Sequence, residues 1–159
     1  MKNELTQAYV TRITQANRSE LVVIIYEIIL THLNDAQEAY HKEEQMVYKN
    51  ELEQAQKFLL ELMSGLDFAY EISKNLMSIY LFVNKTLLEA KSSYDSEVVE
   101  RVIKILESLK QSFVEVGKSD NSQVLMQNTQ KVYAGLTYGK NSLNEMTIEP
   151  GEESRGFFA

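Results

Sequence analysis

The feature that most restricts this chain is its shortage of helix breakers. A single proline, Pro150, and six glycines in 159 residues leave long stretches in which nothing interrupts a helix. Within those stretches apolar residues return every three or four positions, the signature of a helix with one buried stripe. The expected fold class is therefore all-α.

The stripes can be followed one by one. Asn17-Arg18-Ser19-Glu20 has the spacing of a capping box and predicts the start of a helix. Its core positions are Val22, Ile25 or Tyr26, Ile29, Leu33, Ala36 and Tyr40. After the charged HKEEQ (41–45), a second stripe runs Tyr48, Leu52, Ala55, Leu59, Leu62, Leu66, alternating steps of four and three as helices packed at about 20° do. The register breaks between Gly65 and Tyr70. A third stripe follows with Ile72, Leu76, Ile79 or Tyr80, Val83, Leu87 and Ala90. Ser92, Ser93 and Asp95 then separate it from a fourth, Val99, Val102, Leu106, Leu109, Phe113 and Val116, which stops at Gly117.

Short connections make consecutive helices antiparallel, so the expected architecture is an antiparallel up-down four-helix bundle. It spans 17–117, with 1–16 as an N-terminal cap segment. From Lys118 the apolar spacing weakens and Ser, Asn, Gln, Gly and Thr become frequent. Residues 118–159 are thus expected to be a partly ordered C-terminal extension, with Leu125, Val132 and Leu136 on one side of a short fifth helix.

Composition narrows the function classes. A net charge of −7, with no window dense in Lys or Arg, argues against binding nucleic acid or an anionic membrane. The apolar run from Leu21 is far shorter than the roughly 20 residues of a membrane span. MKNELTQAYV lacks the apolar centre of a secretory signal, so a cytoplasmic protein is expected. Without cysteine there is no disulfide, thiolate site or cysteine nucleophile. A di-iron bundle would need two Glu-x-x-His pairs, and only Glu38 with His41 matches, since Ile29 precedes His32 by three. No lysine flanks His32 to hold a phosphate, and His41 lies among acids that would repel one. Phosphate loops and nucleophile elbows are absent from the sequence. The expectation is no catalytic residue, no metal and no cofactor, in a protein that works by binding.

What it binds is suggested by ELVVIIYEIIL (20–30), nine apolar residues in eleven. With Val22, Ile25 and Ile29 facing the core, Leu21, Val23, Ile24, Ile28 and Leu30 spread over the flanks and the opposite face. Each such side chain contributes roughly 1.5 to 3 kcal/mol when buried, so something must cover them: another protein, the chain's own ends, or neighbouring helices.

The order of segments resembles the flagellar export chaperone family FliS. Tyr9 followed by QANRSELVVIIYEIILTHLNDAQEAY (15–40) is similar to the family's opening of its first bundle helix. LMSGLDFAYEISKNLMSIYLFVNKTLLEAK (62–91) carries Leu66-Asp67, Glu71-Ile72, Asn75-Leu76 and Ile79-Tyr80 in the family's order. Arg18, Phe113 and Tyr70 depart from it, standing where proline, tryptophan and glycine are usual.

The resemblance implies a non-catalytic chaperone that holds the disordered C-terminal segment of flagellin, prevents premature polymerisation, and hands its cargo to the export apparatus. The residues it offers for partner binding are Tyr9, Leu21, Ile24, Tyr26, Ile28, Ile72, Asn75, Leu76 and Tyr80. Beside it stands a structural or regulatory helical protein whose apolar face is covered by its own tail, through Val132, Tyr133, Leu136, Phe157 and Phe158, or by a second copy in a homodimer.

Overall fold

A computed structural model describes residues 2–126. They form five helices and no strand: α1 Lys2–Gln15, α2 Arg18–His41, α3 Gln45–Ser64, α4 Glu71–Ser93 and α5 Ser96–Gly117. The chain divides into two units, Met1–Ser122 and Gln123–Ala159. Of the second, Gln123–Met126 are described. Val132, Leu136, Phe157 and Phe158, and with them most of the expected fifth helix, lie outside the described residues.

The helix ends follow local chemistry. Asn17 caps α2, its side chain accepting from the Glu20 amide at 2.9 Å, and Asp95 caps α5 by accepting from Glu97 and Val98. Each satisfies amides that a helix start leaves without partners. The register break at Gly65–Tyr70 is a non-helical connection between α3 and α4. Segment 2–15, read from sequence as a cap without assigned structure, is helix α1.

Two connections turn through left-handed residues, Glu43 (φ 59) and Tyr94 (φ 55). A side chain there opposes its own backbone, and glycine does not. Glu43 is exposed, so Glu43→Gly is expected to raise stability by about 0.5–1 kcal/mol, read as an upward shift of the denaturant midpoint. Tyr94 is held differently. Its ring packs on Tyr40 (4.7 Å) and Tyr48 (5.0 Å), and Tyr48 donates to the carbonyls of Ala90 and Asp95. That burial pushes the Tyr48 hydroxyl up to about 12, the Asp95 carboxylate adding to the effect.

Helices α2, α3, α4 and α5 close a ring, α2 against α3 and α5, and α4 against the same two. Contacts between neighbours in the ring give the directions. Tyr48 at the start of α3 reaches the end of α4, and Gln37 near the end of α2 binds Ser96 at the start of α5. The core inside contains Tyr26, Ile29, Leu33, Leu52, Leu59, Tyr80, Val83, Leu87, Val99 and Leu106.

Helix α1 packs against the outer side of α2, through an Arg12–Glu27 ion pair of 2.9 Å and a Tyr9–Thr31 contact of 3.4 Å. This accounts for the apolar excess of 20–30. Ile24 is 2% exposed yet stands outside the central cluster that holds Tyr26. Two positions apart on a helix, the two side chains point in widely different directions. No apolar residue of that stretch is exposed; α3, α5 and α1 cover α2 from three sides.

Candidate functional site

The nine residues singled out from sequence do not form one surface. Tyr26, Leu76 and Tyr80 are core, and the Tyr26 and Tyr80 hydroxyls meet at 2.5 Å. Ile24 is buried, while Tyr9, Leu21 and Ile28 are half-buried. Ile72 and Asn75 are exposed on α4.

Around Ile72 and Asn75 the outer surface becomes apolar. On α4, Leu76, Tyr80, Val83 and Leu87 mark the inward face, and Asn84 and Lys91 mark the side towards α3, where they meet Gln56 and Glu53. The opposite flank, towards α5, carries Ile72, Asn75, Ile79 and Phe82, spaced by three and four.

Helix α5 offers a matching row. Phe113, Val114 and Gly117 line a hollow of about 420 Å³ shared with α1 and α2, which identifies the α2 side. Ile105, Leu109, Ser112 and Val116 follow the other flank, towards α4.

Only Tyr94 and Asp95 separate the two helices, so they run antiparallel, and residues equally far from the turn lie side by side. Ile79 thereby falls near Leu109, and Ile72 near Val116. Ile79, Ile105 and Leu109 form the floor, partly buried against the core. Ile72, Phe82 and Val116 stand 61%, 57% and 60% exposed on the walls. From Ile72 to Thr86 the apolar flank of α4 that would wall such a groove runs about 21 Å at 1.5 Å per residue, four turns of helix.

Sequence reasoning placed Ile72 and Val116 in the core stripes, and both are exposed. A stripe that repeats every seven residues drifts about 20° per heptad around a straight helix, so its ends rotate out of the core. Phe82 and Val116 were absent from the residues proposed for binding. The available signal was Phe82's position two residues after core Tyr80, which turns it away from the centre.

The hollow between α1, α2 and α5 has a floor of Val23, Ile24, Phe113 and Val114 and a rim bearing Arg12, Glu20 and Lys118. Arg12 and Lys118 are both paired, with Glu27 and Glu115. At its edge the Ser19 hydroxyl donates to Asp120, which also accepts from the Ser122 amide at 2.8 Å. These hydrogen bonds, that from Ser19 foremost, hold the Asp120 carboxyl down to about 2 from an ordinary 3.8. The folded chain thus binds this proton more weakly than the unfolded one. Asp120's contribution is complete above pH 3.8 and is lost as pH falls through about 2. NMR titration of the Asp120 carboxyl is expected to give an apparent pKa near 2, moving back towards 3.8 in Ser19→Ala.

The histidines have structural surroundings. His32 bonds buried Glu51 at 2.6 Å and stacks on Phe58. His41 and Glu38 are exposed, Glu38 pairing with Lys42 at 3.0 Å. Among the described residues no three or more His, Asp or Glu side chains cluster as metal ligands, and no helix is long and apolar enough to cross a membrane.

The family model described as Flagellar protein FliS matches residues 1–120. No curated protein matches the chain. The matched span takes in all five helices, with the apolar rows of α4 and α5, and the chain belongs to the FliS family of flagellar proteins.

Proposed function

We propose that the protein is a cytoplasmic flagellar export chaperone and that the groove between α4 and α5 receives the C-terminal segment of flagellin as an amphipathic helix. The ring of α2 to α5 acts in this reading as an up-down four-helix bundle, a rigid support for the groove. The observation that carries it is the row Ile72, Phe82 and Val116, left in water by a chain that leaves no apolar residue of ELVVIIYEIIL exposed. Apolar walls over a partly buried floor fit the face of a helix anchored at i, i+3, i+4 and i+7. Membership of the FliS family supplies the kind of partner. Holding a polymerising segment by its apolar face would block self-assembly, while the entropy cost of ordering it would keep the complex releasable for export.

The test is calorimetric titration with a peptide covering the C-terminal segment of the same organism's flagellin. Saturable binding with a negative heat-capacity change is expected. Absence of binding by the full segment would sink the reading.

A second reading rests on Leu60, Leu81 and Leu88, exposed on α3 and α4. Leu81 and Leu88 lie on the α3-facing flank of α4, away from the groove, where a second copy could cover them in a homodimer. Sedimentation velocity over a concentration series distinguishes the two: a dimer whose peptide affinity is unchanged would give this strip a role separate from the groove.

A further inference from the structure

We infer that the connection between α3 and α4 extends the groove, and that Phe68 and Tyr70 form an aromatic clamp for a basic side chain at one end of the helical segment it holds. The inference rests on the groove reading and adds to it a subsite with its own chemistry.

Phe68 and Tyr70 are 52% and 62% exposed, in the turn that leads directly into Ile72, the first wall residue of the groove. Neither ring belongs to the core or to the side chains packed against it. Neither takes part in an aromatic pair or a side-chain hydrogen bond among the described residues. The rings therefore contribute little to holding the fold together.

Tyr70 is the N-cap residue of α4, with φ −101 and ψ 135 and no side-chain cap hydrogen bond. Serine, threonine, asparagine or aspartate at this position would satisfy an amide that tyrosine leaves without a side-chain partner. An aromatic residue at a cap site, in a conformation that smaller residues adopt equally well, has its explanation outside the folded chain.

Charge selects the occupant. Asp67 and Glu71 bracket the two rings in sequence; Asp67 accepts the Ala69 amide and has no ion-pair partner among the described residues, and Glu71 meets Lys74 only at 3.9 Å. The chain as a whole carries −7. An apolar stem ending in a cation satisfies both features, lying over an aromatic face and meeting carboxylates at its tip. A neutral apolar side chain would use the rings and leave the acids without a role.

The probe is the same flagellin peptide, titrated at low and high salt against Tyr70→Ser, Phe68→Ala, Asp67→Asn and, for the groove itself, Phe82→Asp. Tyr70→Ser supplies a capping hydroxyl, so melting should be unchanged or higher, while affinity falls about tenfold. Phe68→Ala should weaken binding similarly, and Asp67→Asn should flatten the salt dependence. Full affinity in Tyr70→Ser and Phe68→Ala, with Phe82→Asp impaired, overturns the clamp and leaves the groove standing. Full affinity in Phe82→Asp removes the groove, and the clamp with it. A tenfold loss without salt dependence, indifferent to Asp67→Asn, overturns the basic occupant.

Discussion

Phe82→Asp should leave the fold intact and weaken flagellin-peptide binding by at least about thirtyfold. Phe82 is 57% exposed and stands outside the side chains that build or pad the core, so folding gains little from its ring. Aspartate costs at most about 0.5 kcal/mol of helix propensity at this position, a shift of a few degrees in melting temperature at most. The bound state loses far more. Covering a phenylalanine side chain contributes roughly 1.5–3 kcal/mol, and a carboxylate forced beneath an apolar helix face adds a desolvation penalty of similar size. Even the lower end of that sum exceeds the roughly 2 kcal/mol that thirtyfold represents. The same substitution at Ile24 would be a poor test. Ile24 is 2% exposed on the side of α2 that meets α1, so a charge there would damage the fold and confound any loss of binding. Calorimetry on Phe82→Asp beside a thermal melt settles the matter, and near-normal affinity with normal melting would exclude the α4–α5 groove.

Much of the scaffold was legible in the sequence because helix-period burial is a strong signal. Tyr48, Leu52, Ala55, Leu59 and Leu62 occupy the buried positions their spacing requires, Asn17 and Asp95 mark helix starts as their chemistry suggests, and α5 stops at Gly117. The site was harder to read. An apolar side chain on a helix flank has the same one-letter identity whether a neighbour covers it or water does, and only the packing of other helices decides. ELVVIIYEIIL looked like the surplus surface because four helices leave one side of α2 open. The fifth, α1, closes it, and its own sequence is weakly amphipathic, with Thr, Gln and Asn diluting the stripe. Conversely Ile72 and Val116 read as core because they continue good stripes. Their exposure follows from rotation at helix ends, a cumulative geometric effect that no local window contains. Tyr26 and Tyr80, offered from sequence as partner contacts, are instead each other's partners.

That tyrosine pair should behave as a unit. Tyr26 and Tyr80 are 0% and 1% exposed, on α2 and α4, which face each other across the ring, and their hydroxyls lie 2.5 Å apart. One donates and the other accepts. Changing either to phenylalanine removes its own hydroxyl and leaves the other buried without a partner, at a cost of about 1–3 kcal/mol. Changing both removes the polar pair together, leaving rings that still pack, Tyr26 against Phe113 at 5.6 Å among them. The double variant should therefore be no less stable than the weaker single variant, and the coupling should come to about 1 kcal/mol or more. Alkaline titration gives an independent view. Burial pushes the Tyr26 hydroxyl well above its ordinary 10.0, the neighbouring Tyr80 adding to this, and burial likewise raises Tyr80. The unfolded chain consequently loses these protons first, so stability falls as pH rises above 10. Tyrosinate absorbance from the pair should appear with unfolding and not before it. Additive costs in the four denaturation curves, or ionisation of the pair in the folded protein, would mean that water reaches these hydroxyls and that the α2–α4 diagonal is looser than its geometry implies.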